Sequence, residues 1–287
     1  MTMVAVTGAL GNMGRRIVTR LEADGSRVRK IDLTPSANPF YEPTRVVDLT
    51  NYGDAVANLH GCDAVVHFGS NPWPDDDFFT GAQRYANNTV ATFNVFQAAC
   101  QLGIKRVVYA SSETVAGNPF LRAGPAHIPM LETDEPMPQS AYALSKLNAE
   151  QLATHMHRMH GTIFVGLRIA NILYDVPGHY AGYDQVPTYW KDPLIRRETL
   201  WKYVDSRDVA EIVACSLTAE LSSAEVFNVS AADTIMNVPT QALFETHFPA
   251  TQIAPGLGEY ETPMSLVKAK QMLGWRPIRS WRDVIRA

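Results

Sequence analysis

Short β-branched runs that alternate with longer helical patterns, and three glycines at the end of the first such run, predict an α/β fold with a doubly wound parallel sheet. The runs are MVAVT, RVRKID, DAVVHF, RVVYAS and TIFVGLRI, and segments between them such as NMGRRIVTRLEADG have helical spacing. Apolar stretches such as AVVHF and VVYA, without polar alternation, suit strands covered on both faces.

The elements follow in chain order. TGALGNMG sets Gly8, Gly11 and Gly14 between the first strand and the first helix. Glycines there let the backbone turn sharply and approach a pyrophosphate, while the helix N-terminus offers N–H groups and partial positive charge. Asp32 ends the next strand, where an acid binds the adenosine ribose hydroxyls and repels a 2′-phosphate, so NAD is expected over NADP. Helical periodicity runs from about 76 to 102, with Asp75, Asp76 and Asp77 as a polar loop and N-cap before it and Gly103 as its stop. The stretch ETVAGNPFLRAGPAHIPMLETDEPMPQ has no periodicity and reads as a loop leading into the helix that begins SAYALSK. There Tyr142 and Lys146 stand at i and i+4, on one face. After LRIAN the pattern breaks into Pro, Gly and aromatics, then returns to a helix, DSRDVAEIVACSLTAEL, and a strand, EVFNVS. The expected organisation is a Rossmann-type dinucleotide-binding domain over 1–170, completed by 204–230, and a small C-terminal substrate-binding lobe from 171–203 and 231–287.

With 46% hydrophobic residues among 287 the chain has ample material for a packed core. A net charge of −4 and a pI near 6.1 give no electrostatic reason to expect nucleic acid or an anionic membrane as partner. Cys62, Cys100 and Cys215 have no C-x-x-C spacing, so neither a disulfide framework nor a zinc site is expected, and a cytoplasmic location is. The opening residues MTMVAVTGALG lack a charged n-region and a long apolar h-region, and no apolar run is long enough to span a bilayer. His155, His157 and His160 cluster near a helix end, but their spacing does not put them on one face, and no metal site is expected.

Taken in order, these motifs resemble the extended short-chain dehydrogenase/reductase family of NAD-dependent sugar epimerases, dehydratases and related reductases. TGALGNMG is similar to its glycine turn, VVDLTN to its adenine-contacting strand end and VVHFGS to the strand beside the cofactor. NNTVATFNVFQAA is similar to its asparagine helix, VVYASSETVAG to its catalytic-serine segment and YALSK to its Tyr-x-x-x-Lys, while KYVDSRDVAE and LGWRP resemble later signatures. The resemblance implies that Tyr142 is the acid/base, Lys146 its partner and Ser112 the substrate-orienting hydroxyl. It also implies NAD contacts from Gly8, Gly11, Asn12, Met13, Gly14, Asp32, Asp48, Leu49, Phe68, Gly69, Ser70 and Asn88, together with Tyr142 and Lys146. A homodimer through the helices at about 76–102 and 141–160 is implied as well. A free tyrosine titrates near 10, so poising one near neutrality takes about 4 kcal/mol, for which a lysine ammonium one turn away and the positive nicotinamide ring are a source.

Departures from the family pattern bear on the reaction. Sugar-nucleotide dehydratases carry an Asp-Glu pair after the serine; here Glu113 is followed by Thr114, which disfavours dehydration. The family's tyrosine in that segment is Ala116. Where nucleotide-sugar epimerases place a diphosphate-gripping arginine stands Trp201, with Arg196 and Arg197 just upstream. The expected function is therefore a dehydrogenase or reductase of a small polar, sugar-derived substrate, similar to uronate dehydrogenases, with substrate contacts from Ser70, Ser112, Glu113, Thr114 and Asn171. A nucleotide-sugar epimerase and a non-catalytic NAD sensor are the alternatives.

Overall fold

The computed structural model describes residues 2–37, 43–72, 80–120, 123–176, 178–179 and 181–285. In chain order, β1 (Met3–Thr7), α1 (Asn12–Ala23), β2 (Arg27–Asp32), β3 (Arg45–Val46) and α2 (Tyr52–Leu59) come first. β4 (Ala64–His67), α3 (Thr80–Gln101), β5 (Arg106–Ser112), the short β6 (His127–Ile128), α4 (Ala141–His160) and β7 (Ile163–Ile169) follow. The remainder holds β8 (Ile172–Leu173), α5 (Val186–Tyr189), β9 (Val204–Asp205), α6 (Ser206–Thr218), β10 (Glu225–Val229), α7 (Thr240–His247), β11 (Gln252–Ile253) and α8 (Val267–Leu273). Asp75, Asp76 and Asp77, read from the sequence as an N-cap, lie outside the described residues.

Seven strands form one sheet in the order β10-β7-β5-β4-β1-β2-β3, and β1 pairs in parallel with both β2 and β4. The chain steps outward from β1 to β2 and β3, then returns to β4 on the other side of β1, which makes the end of β1 the switch point of a doubly wound sheet. This is the Rossmann-type α/β architecture that the alternating pattern predicts.

The chain divides into two compact units. The first comprises Met1–Ser112, Ser140–Leu167 and Ala210–Val226. Its core follows the apolar spacing of the sequence: α1 buries Met13, Gly14, Ile17, Val18 and Leu21, and all residues of β4 are buried. Phe96 of α3 lies 4.7 Å from Phe164 and 5.1 Å from Tyr109, centroid to centroid, so helix and sheet share an aromatic cluster. α3 and α4 pack together, and α4 packs on β5. His157, singled out as part of the histidine cluster, donates through Nδ1 to the Thr162 carbonyl at the end of α4, where Gly161 takes φ +73°.

The second unit comprises Glu113–Gln139, Arg168–Val209 and Phe227–Ala287. Trp201, Tyr203, Phe120, Phe244 and Trp281 are core residues there. β6 pairs with β11 and β8 with β9, and the Trp275 indole of the LGWRP segment donates to the Asp208 carbonyl at 3.1 Å. No helix among the described residues is long and apolar enough to cross a membrane.

Candidate active site

The loop after β1 closes on glycine because nothing larger fits. Gly8 has φ +68°, and a β-carbon there would stand 2.8 Å from the Gly69 amide nitrogen. At Gly14 a β-carbon would stand 1.9 Å from the Gly8 carbonyl oxygen, the acceptor of the Gly11 amide. The main chain therefore lies against the start of α1, whose first residues, Asn12 and Met13, follow the Gly11 N-cap. The first N–H groups of a helix have no carbonyl partner within it and carry partial positive charge, so this cradle fits a pyrophosphate.

Asp32 is held beside that turn, its Oδ2 accepting from the Leu10 N–H at 2.9 Å. A carboxylate so placed offers acceptors to ribose hydroxyls and repels a 2′-phosphate. Asp48 is engaged locally: its Oδ1 accepts from the Thr50 hydroxyl at 2.7 Å and the Thr50 N–H at 2.9 Å, bonds that hold its carboxyl below the ordinary range. The next residue, Leu49, offers its carbonyl to Asn94 Nδ2. Asn88 accepts from the Asn71 N–H at 2.8 Å and donates to the Asn71 carbonyl at 3.1 Å, and so fixes the segment after Phe68, Gly69 and Ser70.

Two residues not identified as functional from the sequence brace the same strand ends. Thr7 Oγ1 lies 2.8 Å from His67 Nδ1 and accepts from the Gly69 N–H at 3.0 Å, while His67 Nε2 lies 3.2 Å from Thr92 Oγ1. Burial, and then the Lys146 charge, push the His67 imidazole down to about 3, so it is neutral and acts as a strut.

The proton-handling residues are carried by β5 and α4. Ser112 is the last residue of β5 and is buried. Ser140 caps α4 by accepting from the Ala143 N–H at 3.1 Å, which starts the helix just before Tyr142. Lys146, one turn on, places Nζ 5.4 Å from the Tyr142 ring centroid. Both side chains are nearly out of water, at 9% and 6% exposure. The ammonium donates to the Ala110 carbonyl at 2.8 Å and reaches Ser70 Oγ at 3.4 Å. Burial pushes Lys146 down from 10.5 to about 8. With its folded value below its unfolded one, the unfolded chain binds the extra proton, so the stability it contributes rises with pH between about 8 and 10.5.

In the second unit Glu113, Thr114 and Lys202 are buried. The Glu113 carboxylate forms an ion pair with Lys202 Nζ at 3.1 Å and accepts from the Asn171 backbone N–H. Burial pushes Glu113 up, opposed by Lys202, Arg196 and the Asn171 amide. Trp201 is not a surface stand-in for an arginine: its ring packs on Phe244 and Phe248 at centroid distances of 5.7 and 5.9 Å, and its Nε1 donates to the Pro193 carbonyl. Ala116, at the family's tyrosine position, belongs to the same core. Lys202 was not singled out from the sequence; the one available signal was a lysine inside the otherwise apolar run LWKYV.

Residues 4–230 match the NAD dependent epimerase/dehydratase family. The chain belongs to that family. It is 32% identical to the L-arabinose 1-dehydrogenase (NAD(P)(+)) of Haloferax volcanii over 60% of this chain and 68% of that one. It is 25% identical to the UDP-glucose 4-epimerase of Lacticaseibacillus casei over 96% of this chain and 91% of that one. A solved structure of a mutated uronate dehydrogenase shares the fold with a TM-score of 0.68 and 20% identity, over 99% of this chain and 85% of that one. The protein is thus an NAD-dependent enzyme of this family, and the glycine cradle and Asp32 suit its cofactor.

The buried Glu113–Lys202 pair yields a stability test. Lys202→Met and Glu113→Gln should each destabilise the protein by about 3–5 kcal/mol in urea unfolding, because each strands a buried charge or its acceptor. The double variant should lose clearly less than the sum of the two. Additive losses would show that the two side chains are not coupled.

Proposed function

We propose that the protein is an NAD-dependent dehydrogenase acting at a secondary alcohol or ketone of a small polar, sugar-derived substrate. The observation that carries this reading is the buried Tyr142 and Lys146 pair on α4, with the ammonium tied to the Ala110 carbonyl. A lysine held there as a cation favours the tyrosinate over the phenol, which is what a proton acceptor at neutral pH needs. NAD, when bound, supplies the acceptor for the hydride that leaves the carbinol carbon. Tyr142 takes the alcohol proton at its phenolic oxygen, and Lys146 stabilises the charge that Tyr142 carries before the transfer. Ser112 donates to the substrate oxygen as it becomes a carbonyl. Gly8, Gly11, Asn12, Met13, Gly14 and Asp32 hold the cofactor, and Asp48, Leu49, Phe68, Gly69, Ser70 and Asn88 complete its surroundings. The substrate-binding lobe expected over 171–203 and 231–287 falls within the second unit, which also takes in 113–139; in that unit Thr114 contacts substrate, while Glu113 and the Asn171 backbone act through Lys202.

Trp201 argues against the epimerase alternative, since it is spent on packing and leaves no guanidinium fork at the position where nucleotide-sugar epimerases grip a diphosphate. A homodimer through α3 and α4 fits the exposed Tyr85, Val90 and Phe93 of α3 and Leu144 and Met159 of α4. A cytoplasmic location fits three cysteines that are all free. Gel filtration should give about twice the 31.7 kDa of one chain; a monomer at micromolar concentration would oppose the dimer.

The activity is checked by incubating the protein with NAD and a panel of sugars and sugar acids and following NADH absorbance. Net NADH formation is expected, and Tyr142→Phe should cut kcat/KM between about a hundred- and ten-thousand-fold with NAD affinity nearly unchanged. Isomerisation of UDP-sugars without net NADH would overturn the dehydrogenase reading in favour of an epimerase.

A further inference from the structure

The second unit contains buried donors for which the proton chemistry has no use. Arg196 Nε and Nη2 and Asn118 Nδ2 are shielded from water and have no hydrogen-bond partner among the described residues. A buried donor left unpaired is costly, and a protein that keeps several together has an acceptor to offer them. Both residues belong to the unit that holds the buried Glu113–Lys202 pair. Lys202 Nζ is 3.1 Å from Glu113 Oε2 and donates to Asn118 Oδ1 at 3.3 Å, while Arg196 lies near enough to Glu113 to draw its carboxyl down. The guanidinium rests against the Tyr189 ring, 5.4 Å from its centroid, which holds the plane of the fork.

The charges do not balance. Among the described residues, Glu113 neutralises one of the two cations, Lys202 and Arg196, and leaves one positive charge uncompensated in a buried setting. Nε and Nη2 also form the edge of a guanidinium that takes the two oxygens of a carboxylate side by side. A strained turn separates the two cations in sequence: Leu200 and Trp201, between Arg196 and Lys202, both take left-handed φ, 55° and 56°, and both are fully buried, so the surrounding packing imposes that conformation. Their turn is closed by the Trp201 N–H donating to the Arg196 carbonyl and the Leu200 N–H to the Arg197 carbonyl.

We infer that Arg196, in the same unit as Asn118 and the Glu113–Lys202 pair, is a receptor for a single carboxylate group, so that the substrate is a sugar acid. The inference rests on the dehydrogenase reading for the reaction but not for the binding. A carboxylate carries the one negative charge the cluster lacks and presents two oxygens to Nε and Nη2. A phosphate dianion would overshoot that charge, and a neutral sugar would leave it unmet.

The test compares D-glucuronate and D-galacturonate with D-glucose and D-galactose as substrates of the NAD-saturated protein, for the wild type, Arg196→Gln and Arg196→Lys. Calorimetric titration of glucuronate and of inorganic phosphate into the NAD-loaded Tyr142→Phe protein, with and without Arg196→Gln, reads binding apart from turnover. The acids should be preferred in the wild type, and Arg196→Gln should lower the ratio of acid to neutral-sugar kcat/KM on the order of 100-fold, mainly through KM. Arg196→Lys, which keeps the charge and loses the fork, should recover part of that ratio and covers the case in which the glutamine variant does not fold. Turnover of neutral sugars with no preference for acids and no effect of Arg196→Gln would overturn the carboxylate site and leave the dehydrogenase reading standing. Absence of turnover on every substrate, with glucuronate binding that Arg196→Gln abolishes, would sink the dehydrogenase reading and support the site. Phosphate binding as tightly as glucuronate, or neither binding, would overturn it.

Discussion

The buried ammonium of Lys146 joins the elements that carry the proton-handling residues of the first unit. It sits at 6% exposure on α4, bonded to the Ala110 carbonyl of β5 and reaching Ser70 beyond the end of β4, so one cation ties together a helix and two neighbouring strand ends. Its neighbours are arranged around that charge. His67, facing Lys146 and out of water, stays neutral and is occupied by Thr7 and Thr92 on its two nitrogens. Tyr142, one turn away on the same helix, is the group whose ionised form the charge favours.

The second unit solves a related problem differently. There a buried lysine, Lys202, is paired with a carboxylate, and it is the adjoining arginine that keeps donors unspent. The position at which epimerases of the family carry a gripping arginine is filled by an indole that has been turned into the core, where it packs on Phe244 and Phe248.

Much of the fold was legible because its signals are local. The glycine turn is read from its spacing together with its place between the first strand and first helix and the Asp32 strand end, and the Cβ clashes at Gly8 and Gly14 explain the glycines; that Tyr142 and Lys146 share a face is read from helical periodicity. β4 and β5 are read from the apolar stretches AVVHF and VVYA, and β7 and β10 from β-branched runs between helical patterns. The two-residue β6 and β11 did not, because they pair across more than a hundred residues of chain and neither carries a run long enough to show a period. Helix α2, eight residues long and opened by an Asn51 cap, was too short to stand out.

At the site the same division holds. Asp32 was legible as a strand-end acid, but Thr7 and His67 were not, since a Thr and a His in apolar strands look like any other core residues until their partners are known. Lys202 was hidden by its neighbours: nothing in LWKYV says that the charged residue points inward and the strained Leu200–Trp201 turn aims it there. Both misses are long-range pairings of polar side chains, which sequence periodicity does not encode.

Lys146 is a desolvated cation whose charge favours the ionised form of Tyr142. A pH titration of the lysine side-chain ammonium signals by NMR in the cofactor-free protein, with Lys146→Met to assign the resonance, reads that desolvation. One lysine should titrate at about 8 in the wild type and vanish in the variant. If every lysine titrates near the ordinary 10.5, Lys146 is not desolvated and the account of how Tyr142 is activated is contradicted.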